Sequence, residues 1–308
     1  MADTDNLLIR KDILARIDEK MKRLNSMRPL SADAVNRLHE EMRLLHTYHS
    51  NAIEGNTLTL PETKLVLEEG ITVSKKPLRD YFEAANSAKA FDLVEDIAKK
   101  KIQIDHVTIQ RIHEVVTAGI LEDAGRYRTR NVRITGASKT PPDWSKLVGL
   151  MDDLIREVVQ SEMGAVQTAA ILHHRFVEIH SFIDGNGRVA RLLMNLYLIA
   201  NGYPPIVLKA TEREKYYRCL RAADSGHPAR FIDLIAKAVD ESLTLYLSIC
   251  GGADELVPLS VLAQETKYSQ EYLSLRARQG LLDAVKIGRT WHATKHAIER
   301  YMSEHANA

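Results

Sequence analysis

The chain has 308 residues, 45% hydrophobic and 27% charged, which excludes a disordered, collagen-like or low-complexity polypeptide. Forty-two Lys and Arg against 41 Asp and Glu give a formal net charge of +1, so no global field draws the molecule to nucleic acid or to an acidic membrane. The two cysteines, Cys219 and Cys250, form no Cys-x-x-Cys pair, the charged N-terminus has no signal-peptide core, and no stretch reaches the ~18 apolar residues of a membrane span; a reducing, cytoplasmic setting is expected.

Aromatic residues make up only 6% of the chain, so its core must rest on aliphatic side chains and Ala, as helical packing does. Apolar residues three and four apart predict helices over 14–24 and 34–48, with Ser31, followed by Asp33, at the second N-cap. A short helix over 60–69 begins with Pro61 in its first turn and stops at Gly70. Further amphipathic helices are expected over 79–100 and 105–117, the latter capped by Asp105 and followed by Gly119. In 125–142 the pattern breaks: Val132 and Ile134 alternate with charged residues, and Gly136, Ala137, Ser138, Pro141 and Pro142 follow, which predicts a short β-hairpin or extended flap. Helical spacing resumes over 144–160, 164–179, 187–200, 212–225 and 228–249. Residues 251–255 read as a linker. Beyond them, two short helices (259–265 and 269–279), a hairpin around Gly288 and a last helix near 295–301 have the look of a small winged helix.

The chemistry concentrates in HSFIDGNGRVAR, residues 180–191. A helix running into His180 ends at a tight turn, and a new helix starts near Gly187. Gly185, Asn186 and Gly187 can form a nest of N–H groups at the positive end of that new helix, a seat for an anion. Arg188 and Arg191 lie three apart on one face of it. Asp184 stands at the mouth, where a carboxylate beside phosphates would hold Mg2+. His180 can take a proton from a hydroxyl near neutral pH. A lone Gly-x-Gly would be an ordinary interhelix turn; here six functional residue types fall within twelve positions, and together they describe a polyphosphate and metal site with an adjacent base.

This segment resembles the signature of Fic domains, His-x-Phe-x-Asp/Glu-Gly-Asn-Gly-Arg-x-x-Arg, at every fixed position, and the likeness extends over roughly residues 40–245, about two-thirds of the chain. Fic proteins mostly transfer AMP from ATP to a Ser, Thr or Tyr hydroxyl of a protein. The resemblance implies His180 as general base, Phe182 as the buried anchor of the loop and Asp184 as the Mg2+ ligand. Gly185, Asn186 and Gly187 would cradle phosphates, the Asn186 side chain assisting, with Val189 and Ala190 in the same ATP-binding stretch. Arg188 would meet the β-phosphate and Arg191 the γ-phosphate. Tyr216 and Tyr217 match a Tyr pair that lies along the nucleotide, although Tyr216 also falls on a helical core stripe with Cys219, Leu220 and Ala223. Seven residues past Tyr217, where some relatives carry Asn, this chain has Asp224. Thr135, Gly136, Ala137 and Ser138 fall in the family's flap, whose edge would align the target by adding a strand.

SNAIEGN, residues 50–56, resembles the family's inhibitory motif in the class with an N-terminal inhibitory helix. Glu54 would form a bidentate, charge-assisted pair with Arg191 in place of the γ-phosphate, and Ser50 would support the helix by a local bond. ATP would then bind with its α-phosphate misplaced for attack.

Other candidates have plainer readings. His173 lies on the stripe Val166, Ala169, Ala170, Phe176, Val177 and reads as a core histidine beside the site; His106 and His113, without partner carboxylates, read as ordinary helix residues. Residues 256–308 hold seven Lys or Arg against five Asp or Glu, a weak footprint for DNA despite Arg276 and Arg278 on its second helix, so a protein contact or dimer role ranks above DNA binding.

The expectation is therefore a mainly all-α protein: N-terminal helices over 1–100 that include the inhibitory motif, a Fic core with its flap over 101–250, and a winged-helix-like module over 256–308. It would be an adenylyltransferase using ATP and Mg2+ on a protein hydroxyl, its own included. The alternatives are removal of AMP at the same site and a DNA-binding regulator with a nucleotide-sensing domain. A homodimer stays open.

Overall fold

The computed structural model describes residues 9–72, 75–133, 139–251 and 255–305. Its secondary structure is almost entirely helical. Thirteen α-helices are described: α1 (Lys11–Ser26), α2 (Ala32–Glu54), α3 (Leu60–Glu69), α4 (Leu78–Lys99), α5 (His106–Thr117), α6 (Leu147–Val159), α7 (Ala165–Ile179), α8 (Asn186–Ala200), α9 (Arg213–Asp224), α10 (Ala229–Cys250), α11 (Leu259–Leu262), α12 (Gln270–Gln279) and α13 (Lys295–Glu304). None is long and apolar enough to cross a membrane among the described residues. Two compact units emerge, one of residues 39–236 and one of Arg10–Leu38 with residues 237–305.

Local capping and turn signals act at the helix ends. Thr59 accepts from the Glu62 N–H while the Glu62 carboxylate accepts from the Thr59 N–H, a reciprocal cap at the start of α3, and Gly70 ends it at φ 65°. Asp105 caps α5 through the Thr108 N–H at 2.7 Å. Ser31 caps α2 through the Ala34 N–H at 3.2 Å. The helix it starts is longer than its apolar spacing suggests: it runs on past Tyr48 to Glu54.

In the unit of residues 39–236, α8 is the central helix. Its side chains from Asn186 to Leu196 are buried all round, as an apolar helix with no solvent face must be. It packs against α7 and α4, whose Ala169, Ala170, Ala84, Ala88 and Ala90 let the helices approach closely. α4 also buries a polar set, Asp80, Glu83, Asn86 and Ser87. Asp80 accepts from Thr57, Asn86 donates to the Ala118 carbonyl, and Glu83 faces Arg188 of the motif.

The second unit holds α1, whose buried Ile13, Ile17 and Leu24 recur at helical spacing. Lys20, buried on the same face, donates to Asp240 at 2.6 Å and to Asp283 at 2.7 Å. β1 (Val257–Pro258), β2 (Val285–Ile287) and β3 (Thr290–Ala293) form an antiparallel sheet in the order β1-β3-β2. Gly288, at φ 59°, opens the two-residue turn that puts Val285 opposite His292 and Ile287 opposite Thr290. α11, α12 and α13 cover a core of Leu259, Leu262, Leu273, Ile298 and Tyr301. Arg276 and Arg278 lie on α12, Arg276 over the Tyr272 ring at 4.8 Å.

The expected flap residues Ile134, Thr135, Gly136, Ala137 and Ser138 lie outside the described residues. The described parts of 125–142 on either side carry no strand.

Candidate active site

α7 ends at His180, which takes the left-handed conformation (φ 53°, ψ 55°) while its N–H still closes the helix on the Phe176 carbonyl. Gly185, at φ 80°, turns the chain into α8. A Cβ at Gly185 would stand 3.1 Å from Thr117 Cγ2 and 3.5 Å from the His113 ring, so the loop lies directly on α5. Within it the Asn186 amide accepts from the Phe182 N–H and donates to the Phe182 carbonyl, both at 2.9 Å. Asn186 is 2% exposed. Its side chain staples the loop rather than reaching toward a ligand, which leaves its backbone N–H for the nest.

His113 holds the loop from below. Its ring stacks on Phe182 with centroids 3.7 Å apart. Nδ1 accepts from the Gly125 N–H at 2.9 Å, which fixes the proton on Nε2, and Nε2 donates to the Asp184 carbonyl at 3.0 Å. Burial pulls its pKa down to about 4, so the ring is neutral at pH 7. Arg128 holds the loop from the other side: its backbone N–H donates to the Ser181 carbonyl, Nε to the His180 carbonyl at 2.8 Å, Nη1 to the Arg130 carbonyl at 2.9 Å and Nη2 to the Pro142 carbonyl at 2.7 Å. One buried guanidinium thus ties His180 to both shoulders of the 130–142 segment. Burial also lowers the pKa of His180, which favours the neutral ring a proton acceptor needs.

Arg191 is 2% exposed and has found three acceptors on the last turn of α2: the Ser50 hydroxyl and the Ser50 carbonyl, each at 2.9 Å, and Glu54 Oε1 at 2.7 Å. The Glu54 contact is end-on through one oxygen, not bidentate, because Nη2 is shared with the Ser50 carbonyl. Ser50 serves Arg191 directly instead of bracing its own helix. The Glu54 carboxylate also stands over the start of α8: a Cβ at Gly187 would be 2.3 Å from Oε1. An anion therefore already sits at the helix N-terminus, where the exposed N–H groups favour one. Burial depresses the Arg191 pKa, but the Glu54 carboxylate, Tyr216 and Tyr217 together more than offset this and raise it. Arg213 fixes the end of α2 by donating from Nε to the Ile53 carbonyl at 2.6 Å, and lies over the Tyr217 ring at 4.9 Å.

Residues 103–198 match the profile of the Fic/DOC family. Protein adenylyltransferase Fic of Drosophila willistoni is 31% identical over 268 residues, 86% of this chain and 53% of that protein. Its counterpart in Drosophila virilis is 31% identical over 250 residues, 80% of this chain and 51% of that protein. Residues 103–198 carry a Fic domain. The chain spans about half the length of the curated relatives it matches. A Fic domain containing signaling protein from Bacteroides thetaiotaomicron superposes with a TM-score of 0.72 at 27% identity, covering 77% of this chain and 98% of that one. Fic-1 from C. elegans gives 0.69 at 29% identity, covering 77% and 72%.

The Fic fold brings Ser50, Glu54, residues 180–191 and Tyr216 together. Tyr216 is buried, its hydroxyl 3.1 Å from His173 Nε2 and 3.5 Å from Arg191 Nη1, and its ring centroid is 5.1 Å from that of Tyr217. Val189 and Ala190 are fully buried, so that stretch can offer only backbone. His174 pairs with Asp224 at 2.9 Å, which gives the Asp at that position a local partner. Sequence reasoning missed four contributors: His113, Arg128, Arg79 and Glu83. The sole local hint was that His113 falls on the buried stripe with Ile109, Ile112 and Val116.

Asp184 is the carboxylate available to a metal. Burial raises its pKa, but Arg188, the Gly185 N–H and Arg79 together bring it below the ordinary range, so it stays ionised. Among the described residues no group of three or more His, Cys, Asp or Glu could hold a metal by itself. A single ionised carboxylate suits Mg2+, which binds through one or two carboxylates when phosphates supply its other ligands.

Proposed function

We propose that this chain transfers AMP from ATP to a hydroxyl group of a protein, and that Glu54 holds the reaction off. The observation that carries the reading is the Glu54 carboxylate on Arg191 at the N-terminus of α8, an acidic side chain in a seat built for an anion. The α8 N-terminus, Arg188 and Arg191 would bind the phosphates. His180 would take the proton from the attacking hydroxyl as its oxygen bonds to the α-phosphorus and pyrophosphate leaves. Mg2+ arriving with ATP would be held by Asp184 and would neutralise phosphate charge. Residues 135–138 would align the target chain, and Tyr216 and Tyr217 would flank the nucleotide.

The curated relatives named protein adenylyltransferase support this chemistry. While Glu54 holds Arg191, the γ-phosphate has no partner there, so ATP cannot settle with its α-phosphate in line. The test is incorporation of label from α-labelled ATP by wild type and Glu54→Gly. Strong labelling of Glu54→Gly alone is expected; equal labelling of the two would remove Glu54 as the brake.

A further inference from the structure

Each charged side chain expected to meet phosphate or metal already has an internal counter-ion. Arg191 has Glu54. Arg188, 2% exposed, has Glu83, with Nη1 3.1 Å from Oε1. Asp184 has Arg79, whose Nη2 donates to Oδ2, beside Arg188, whose Nη2 lies 3.6 Å from Oδ1. Arg79 and Glu83 lie one turn apart on α4 and pair with each other, Nε to Oε1 at 3.0 Å. Glu83 is 7% exposed, and its other oxygen accepts from Asn56 Nδ2 at 3.0 Å, in the turn just past Glu54. The Arg188–Glu83 contact is charge without a well-aimed hydrogen bond: Nε and Nη1 of Arg188 are buried and have no hydrogen-bond partner. Buried guanidinium donors left in this way point to a missing acceptor.

We propose that Arg79 and Glu83 act as a built-in plug for the diphosphate part of the nucleotide seat. The Arg79 guanidinium stands where a cation would meet Asp184, and the Glu83 carboxylate stands where a phosphate would meet Arg188. A metal-bound diphosphate must compete with both. The exchange leaves the two side chains paired with each other, since their mutual bond does not involve the loop. Affinity for the phosphate at Arg188 and for the metal at Asp184 is then tuned by α4, in addition to the hold of Glu54 on Arg191. This inference rests on the nucleotide reading above.

The probe is ADP, which has no γ-phosphate to contest Glu54. Its affinity is measured calorimetrically on the full chain, with and without Mg2+. Glu83→Gln keeps the size of the side chain and an acceptor for Asn56 but removes the competing charge; ADP is expected to bind about tenfold tighter. Arg79→Gln, at a half-exposed position that tolerates change, removes the Arg79 cation from Asp184 and leaves Arg188 in place; the gain in ADP affinity on adding Mg2+ is expected to grow about fivefold. Should Glu83→Gln fail to fold, the Arg79→Gln ratio decides alone. ADP binding that is unchanged or weakened in Glu83→Gln, or an unchanged Mg2+ gain in Arg79→Gln, overturns the plug and leaves the nucleotide reading standing. Absence of ADP binding in wild type and both variants overturns the two together.

Discussion

Replacing His113 by Ala tests whether the motif loop depends on a histidine outside the motif. The side chain contributes a stacked contact with Phe182 and two hydrogen bonds, from the Gly125 N–H and to the Asp184 carbonyl. The stack is worth about 1 kcal/mol. Each buried backbone group left unpaired costs about 1–3 kcal/mol, so the loss at pH 7 is on the order of 4 kcal/mol. The pH dependence is the sharper readout. The folded pKa of about 4 lies below the ordinary 6.5, so the neutral ring's contribution is complete above about 6.5 and is lost as pH falls toward 4. Between pH 7 and pH 5 the linkage amounts to about 2 kcal/mol from this one residue. His46, pulled down to about 3, and His49, pulled down to about 4, have the same sign and remain in the variant. The assay is urea unfolding followed by far-ultraviolet circular dichroism at pH 7 and pH 5. The variant is expected to be less stable at pH 7 and to lose about 2 kcal/mol less than wild type on acidification. An equal loss in both proteins, or an unchanged midpoint at pH 7, would refute the reasoning.

Two further outcomes are expected. In the Glu54→Gly background, His180→Asn, chosen because Asn tolerates the left-handed backbone, should lower AMP transfer by ~10²–10⁴-fold while ATP binding persists; undiminished labelling would remove His180 as the base. Arg128→Ala in the same background leaves the carbonyls of His180, Arg130 and Pro142 without their donor. It should lower both the unfolding free energy, by roughly 2–4 kcal/mol, and the transfer rate, and a protein with full activity would show that the clamp does not position His180.

What could be read from the sequence is what local pattern controls. The helices with a one-sided apolar face, the caps at Ser31 and Asp105, and the turn at residues 180–187 follow from neighbours along the chain. α2 ran beyond its predicted end because its last turn buries polar residues: Ser50 and Asn51 are each 2% exposed against Arg191 and the Glu83 carbonyl, and they break the apolar spacing. The same reason hid the supports of the site. Arg128 acts on a carbonyl 52 residues away, His113 on one 71 residues away, and Arg79 on a carboxylate 105 residues away. No local spacing encodes such pairings. Asn186 shows the converse, for its motif position is plain while its side chain is spent on holding the loop.

The most direct test of the account is the intact mass of Glu54→Gly and of wild type after incubation with Mg2+ and ATP. The account expects Glu54→Gly to gain a whole AMP unit while wild type stays at its starting mass. A Glu54→Gly protein that binds ATP yet transfers nothing, to itself or to any added protein, would contradict it.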